Sequence, residues 1–177
     1  SSLDTRFALL RRRLLALGGA KGIGWGWAAG VGALVAAMWF DLIWELPPAM
    51  RAAAWGVAMA MLLGTPALFL YRTWRRTDDA RLADRLDAVG ETAGSVRAGW
   101  ELSQASGFPL PLSEGLAQLA VAHAERDAAV IPAGSVAPWK TARPALCGAI
   151  GTTLVVGFFG LIAPQLALTE WHRFARP

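Results

Sequence analysis

Cysteine and histidine are almost absent from this sequence, which has one Cys, Cys147, and two His, His123 and His172. A single thiol excludes an intramolecular disulfide framework and a zinc or iron–sulfur site built from several cysteines. The two histidines stand far apart in the sequence, so a protein-only metal centre is not expected. We predict no cofactor and no metal. The alternatives are a metal or cofactor at His123 and a pigment or haem at His172.

Charge is also scarce. Asp, Glu, Lys and Arg make up 17% of the 177 residues, whereas hydrophobic residues make up 55%, and the mean hydropathy is +0.39. Three runs contain no charged residue, at 22–40, 52–71 and 144–169. At about 1.5 Å per residue, each run approaches or exceeds a hydrocarbon core of roughly 30 Å. We predict an all-α integral membrane protein with three transmembrane helices, a hairpin over 22–71 and a third helix over 144–169.

Lys and Arg are distributed unevenly around these runs, which predicts an orientation. Five precede the first run, nine lie between the second and third, one lies between the first and second, and two lie in the tail. Because basic residues mark the cytoplasmic side, we place the N-terminal segment 1–21 and the insert 72–143 in the cytoplasm. The tail 170–177 is then external, and the expected location is the cytoplasmic membrane of a bacterium.

Tryptophan and arginine at the ends of the runs are typical of residues at the headgroup level of a bilayer. The residues assigned to this interface are Trp39, Trp44, Trp74, Trp139, Trp171, Arg11, Arg12, Arg13, Arg75 and Arg76. Nine Trp are also compatible with pigment or ligand contacts, although interfacial belts and helix packing are the simpler interpretation.

Small residues recur at every fourth position in the first two runs. The two series are Gly18, Gly22, Gly26 and Gly30, and Ala52, Gly56, Ala60 and Gly64. Residues four apart share one face of a helix, and a face without side chains lets another backbone approach closely and gain dispersion contacts. We predict that the two helices pack on each other through these faces. The alternative is that a series contacts a partner chain or a second copy.

The third run is less regular. Its small positions are Gly148, Thr152, Gly157 and Gly160, which suit packing on the hairpin or on another protein. Proline at 66 and at 164 is expected to kink or end the second and third helices.

The insert is more polar, and three of its stretches predict helices. The first starts at 77–79 and ends at Gly90, and a weaker one covers ETAGSVRAGWELSQ. The connector SGFPLPL (106–112) leads to a third helix, capped by Ser113. This last helix sets Leu116, Leu119, Ala120 and His123 on one stripe. Few large apolar residues predict a weak independent core, so we expect the insert to lie against the membrane or a partner.

Most catalytic and transport classes lack support in this sequence. The predicted spans contain no Asp, Glu, Lys, Arg or His, whereas transporters, pumps and channels normally need ionisable or polar groups in the bilayer. No phosphate loop, nucleophile elbow, zinc-protease motif or dinucleotide fingerprint is present. The basic runs stand at span ends, so headgroups explain them better than nucleic acid.

A resemblance accompanies these features. Two close runs, the insert RLADRLDAVGETAGSVRAGWEL, and HAERDAAVIPAGSV before a third run resemble the N-terminal membrane portion of an uncharacterised family of large bacterial envelope proteins. In that family, a long exported part with sandwich-like domains follows the third helix. The resemblance covers essentially the whole chain and includes no catalytic residue. It implies an N-terminal fragment, or a truncated relative that keeps only the membrane anchor.

Two functions are consistent with this sequence. The first is a non-catalytic structural or accessory subunit that packs on other membrane protein subunits, for example in a respiratory or photosynthetic complex, with membrane lipids around it. The second is the membrane anchor of a larger envelope protein with an exported sensory or envelope-maintenance domain.

Overall fold

The structure is a computed structural model that describes residues 2–105 and 114–175, and these residues are helical with no strand among them. The helices are α1 (Ser2–Trp44), α2 (Pro48–Arg75), α3 (Asp79–Gly90), α4 (Ser95–Gln104), α5 (Glu114–Val130), α6 (Ala133–Val136), α7 (Arg143–Ile162) and α8 (Pro164–Ala175), with a 3₁₀ turn at Trp139–Ala142. The all-α prediction is confirmed. The connector 106–112, the Ser113 cap and the end of the tail lie outside the described residues.

Three helical stretches are long and apolar enough to cross a membrane, as the sequence predicts. They are Leu3–Trp44, Pro48–Arg75 and Ala133–Ile162. The third differs in detail from the predicted run, because α7 ends at Ile162 and a separate helix starts at Pro164. A proline has no N–H to donate to the preceding turn, and its ring clashes with that turn. Pro66, by contrast, lies inside a continuous α2.

The chain divides into two compact units. The polar unit consists of Ser1–Leu17 and Arg72–Lys140, and the apolar unit of Gly18–Tyr71 and Thr141–Pro177. The start of α1 belongs with the insert, which the sequence analysis did not predict.

The core of the polar unit explains this assignment. Its buried side chains come from α1, α3, α4 and the end of α5, and they are Leu3, Phe7, Leu10, Leu82, Ala83, Leu86, Val96, Ala128 and Ile131. Three of the largest are supplied by α1, so the insert completes its core with the N-terminal segment. The expectation of a weak core applies to the insert alone and does not describe this unit.

Helix ends in the polar unit are stabilised by side chains. Asp78 caps α3 by accepting from the backbone N–H of Asp79. The Asp87 carboxylate accepts from the backbone N–H groups of Val96 and Arg97, at 3.0 Å each, and so stabilises the start of α4. Since the sequence analysis assigned no partner to Asp87, this contact is a finding of the structure.

The packing of α5 differs from the predicted stripe. Its buried face consists of Ala117, Ala124 and Ala128, and Ala124 contacts Gly99 of α4 directly. Leu116 and Leu119 are 60% and 67% exposed. A helix face of alanines lets α4 approach closely, and the larger leucines are turned outward. The predicted helix is confirmed, whereas its largest apolar side chains do not pack within the unit.

Candidate functional site

The glycine series of α1 lies against α2. A Cβ placed on Gly22 would lie 2.7 Å from the Cα of Pro66, and one on Gly26 would lie 3.2 Å from the Leu62 carbonyl oxygen. At Gly30 the corresponding distance to the Ala58 carbonyl oxygen is 3.0 Å. Gly18 is also buried. These distances leave no room for a side chain, so α1 and α2 meet through their backbones, as expected for small-residue packing.

The face of α2 that meets these glycines is not the predicted one. It contains Ala58, Leu62 and Pro66, again at a spacing of four, and Phe69 one turn further on. Pro66 has no N–H, so the carbonyl of Leu62, four residues earlier, has no intrahelical donor at that position. That carbonyl faces the backbone of Gly26, an arrangement that suits a weak Cα–H···O contact.

The second small-residue series points away from α1. Ala52, Gly56, Ala60 and Gly64 are all exposed. No described atom lies within 4 Å of a Cβ placed on Gly56 or Gly64. The expectation that the two series pack on each other is therefore wrong, because α2 turns the face with Pro66 toward α1. This leaves a face of small residues exposed along α2.

The opposite face of α1 packs on α7. A Cβ placed on Gly24 would lie 2.6 Å from the Ala145 carbonyl oxygen, and Gly148 packs on Trp25 and Ala28. Gly24 lies outside the predicted series, and the alternation of Gly22, Gly24 and Gly26 is the signal that could have revealed two glycine faces. Of the predicted small positions in the third run, Gly148 is in contact, whereas Gly157 has no described neighbour within 4 Å.

Tryptophan side chains of α1 contact α7. The Trp27 indole donates to the Thr153 hydroxyl at 3.0 Å. The rings of Trp39 and Phe159 meet edge to face with centroids 6.3 Å apart. The predicted interfacial residues Trp39, Trp44, Trp74, Trp139 and Trp171 are all exposed, at 48–66%. Their exposure is compatible with an interfacial role.

The N-terminal arginines differ from each other. Arg11 forms an ion pair with Asp79 at 2.6 Å, and Arg13 donates to the Ala137 carbonyl at 3.1 Å, both within the polar unit. Arg12 is exposed, as are Arg75 and Arg76 near the end of α2. Two of the three N-terminal arginines assigned to headgroups therefore have protein partners, and Arg12 remains the one suited to a headgroup.

The Arg6 side chain makes three hydrogen bonds to the backbone. Its guanidinium donates to the carbonyls of Ala128, Ala129 and Ile131 at 3.2, 3.0 and 2.6 Å. These carbonyls lie at the end of α5, where the helix dipole favours a cation. The sequence analysis counted Arg6 only as a topology signal.

A buried ion pair closes the α1–α2 turn. The Asp41 carboxylate, fully buried, accepts from the Arg51 Nε at 3.1 Å and from the backbone N–H of Leu46 at 2.7 Å. The chain turns at Glu45, which has a positive φ of 44°. Asp41 thus ties the end of α1 to the start of α2, a role that the charge counts of the sequence did not reveal.

Titratable groups give little support for chemistry in the described part of the chain. No group of three or more His, Cys, Asp or Glu lies together there. His123 lies 3.5 Å from Asp127 on the same helix. Hydrogen bonds from Arg97 to Asp84, and then to Glu101, raise the pKa of the Arg97 guanidinium above its ordinary value. Those groups are exposed and line no cavity, so helix packing is the best-supported property of the molecule.

Comparison with known proteins adds no family. Neither family models, nor curated proteins, nor solved structures match this chain.

Proposed function

We propose that this chain is a non-catalytic structural or accessory membrane subunit that packs on another membrane protein through the outer face of α2. The observation that carries this proposal is the contrast between two small-residue series. The series of α1 is used inside the apolar unit, whereas Ala52, Gly56, Ala60 and Gly64 are exposed along one helix.

Close backbone packing is what holds helices together in lipid. Lipid tails are as apolar as leucine, so burying apolar surface gives little net attraction between helices. Close backbone approach supplies dispersion contacts instead, and a face of Gly and Ala permits it. Like the buried face of α1, the exposed face of α2 consists of small residues, two Ala and two Gly, and a transmembrane helix of a partner is the neighbour that fits it.

The proposed setting is a bacterial cytoplasmic membrane, with the N-terminus and the polar unit in the cytoplasm. Three long apolar helices, exposed Trp near their ends and the positions of the arginines support it. Single cysteines at Glu45 and Ser103, each in a Cys147→Ser background, test the orientation in spheroplasts. Labelling by an impermeant reagent is expected at position 45 alone, and the reverse pattern contradicts the orientation.

The partner proposal is tested by enlarging one small residue. Ala60→Leu is expected to release the chain from complexes purified in mild detergent from the native membrane, without changing its own melting temperature. Ala36→Leu, the same change at an exposed position of α1, is the matched control and should leave the complexes intact. Retention of every partner by the Ala60→Leu variant contradicts the proposed face.

A second candidate function is the membrane anchor of a larger envelope protein. It is supported by the resemblance of the insert and the three runs to the N-terminal portion of such proteins. The DNA that follows the codon for Pro177 in the native gene distinguishes the candidates. A long open reading frame encoding an exported domain favours the anchor, and a stop codon favours the subunit.

A further inference from the structure

A groove lies between α1 and α7 in the apolar unit. This cavity of about 340 Å³ is open to the surface, and Ile23 and Trp27 of α1 line it. Leu146, Ile150 and Leu154 are on its α7 wall. Eight residues separate the first and last of these, so the wall is about 12 Å long at the rise of an α-helix. Such a groove has the shape of an extended hydrocarbon chain.

A second groove adjoins the first. It has a volume of about 310 Å³, lies between α1 and α2, and is lined by Leu62, Leu63 and Pro66 together with the same Ile23 and Trp27. Ile23 and Trp27 therefore line both grooves, one toward α7 and the other toward α2. Two adjoining apolar grooves match in number the two acyl chains of one diacyl lipid.

The walls offer almost no free hydrogen-bonding group. Among the described residues that line either groove, the polar side chains are Trp27 and Thr153. The Trp27 indole donates to the Thr153 hydroxyl at 3.0 Å, and that hydroxyl donates to the Ala149 carbonyl at 2.9 Å. Both side chains are therefore already satisfied. A polar occupant would lose its own hydrogen bonds here without replacement, whereas hydrocarbon would lose none.

A cation stands at one end of the α7 wall. Arg143 is the first residue of α7, is exposed, and lies three, seven and eleven residues before Leu146, Ile150 and Leu154. At this spacing the four residues share one helix face. Arginine binds a phosphate through two parallel hydrogen bonds, and its long side chain reaches the headgroup level from a helix end. The charge at the mouth of the groove is complementary to an anionic headgroup.

We propose that these adjoining grooves are a binding site for one anionic phospholipid, with one acyl chain in each groove and the headgroup phosphate at Arg143. The inference rests on the proposed membrane setting but not on the partner subunit. Its test uses the isolated chain, so its failure and the failure of the α2 interface are separate results.

The first experiment locates the lipid on the unmodified full chain. The protein is reconstituted with a phosphatidylglycerol whose acyl chains carry photoactivatable groups, illuminated, digested and examined by mass spectrometry. Adducts are expected on the peptides of 23–27 and 146–154, above those on the exposed face of α2. The proposal is overturned if the adducts are spread evenly over all three helices or are absent from these two peptides. A partner helix would then be the better occupant of the grooves.

The second experiment tests the cation. Native mass spectrometry compares retention of dioleoyl phosphatidylglycerol and dioleoyl phosphatidylcholine from an equimolar mixture. Arg143→Gln is expected to lower the preference for the anionic lipid about fivefold. Arg143→Lys should keep part of that preference. Arg12→Gln, which removes an exposed charge from the polar unit, should keep all of it. An equal loss in the Arg12 and Arg143 variants indicates general surface charge and contradicts the site.

The third experiment fills the groove. Ala149→Phe places a ring where the α1–α7 groove lies and is expected to reduce retention of both lipids at least fivefold. Ala36→Phe adds the same ring at an exposed position of α1 outside both grooves and should have no effect. Circular dichroism and the melting temperature establish that each variant is folded. Full lipid retention by a folded Ala149→Phe protein overturns the proposal.

Discussion

The two units of this protein pack their helices by different means. In the polar unit, large side chains such as Leu10, Leu82 and Leu86 form a conventional buried core, and charged side chains stabilise the helix ends. In the apolar unit, the contacts are made by glycine against backbone, and the large side chains are mostly exposed. Removal of apolar side chains from water drives the first kind of packing, and close backbone approach supports the second.

This difference predicts opposite sensitivities. Truncating a large buried side chain should destabilise the polar unit. Adding even a methyl group at a buried glycine should destabilise the apolar unit. The following four variants test the contrast in order of decreasing expected effect.

Leu86→Ala should have the largest effect. The side chain is fully buried in the core of the polar unit, so its removal leaves a cavity and is expected to lower the free energy of unfolding by about 3 kcal/mol. Hydrogen exchange of α3 and α4 in detergent measures this loss locally. Leu119→Ala, the same change at a side chain 67% exposed, is the control and should leave exchange unchanged. Equal effects of the two variants on hydrogen exchange would mean that α5 packs in another register.

Gly22→Ala and its control should change the stability of the apolar unit in opposite directions. A Cβ at Gly22 meets the Pro66 backbone, which cannot move aside as a flexible side chain can, and we expect a loss of about 2 kcal/mol. Gly64→Ala adds the same methyl group where no described atom lies within 4 Å. Its higher helix propensity should stabilise α2 by about 0.5 to 1 kcal/mol. Thermal unfolding in one detergent compares both, and loss of stability in each would contradict the assigned faces.

Arg6→Gln should have a moderate effect on the polar unit. The variant loses a cation that donates to three carbonyls at the end of α5, and a loss of about 1 to 2 kcal/mol is expected. Faster hydrogen exchange in the last turn of α5 would report it. Arg12→Gln removes the same charge at an exposed position of the same helix and should not change that exchange. A similar change in both variants would assign the effect to net charge.

Arg97→Gln should have the smallest effect. Its ion pairs with Asp84 and Glu101 are exposed, so water and salt screen them and no resolved change in melting temperature is expected. If the variant is clearly destabilised at low salt but not at high salt, these exposed ion pairs contribute more to the stability of the polar unit than expected.

Several features were predictable because they depend on local pattern alone. The three charge-free runs predicted the long helices, and the residues at 77–79 predicted the start of α3, where the structure has Asp78 as the cap. Glycine at every fourth position predicted a close backbone contact along α1, and the structure contains it. Pro164 predicted an interruption of the third helix, and α7 ends two residues before it.

Other features were not predictable because the residues concerned are distant in sequence. The core of the polar unit joins Leu10 to Leu86, and Arg6 reaches carbonyls more than 120 residues away. The pair of Asp41 and Arg51 looked like two loop charges, since only the turn geometry buries them. The sequence predicted that α5 packs through its leucines. In the structure α5 packs through its alanines, because α4 approaches it closely.

The sequence alone determined the helices, their apolar lengths and which residues share a helix face, because helical periodicity is a local property of the chain. It did not determine which faces meet. The series at Gly22 and Gly56 have the same spacing, yet one is buried against Pro66 and the other is exposed. Tertiary structure made that choice, because a helix presents several faces and the packing of its neighbours decides which of them is used.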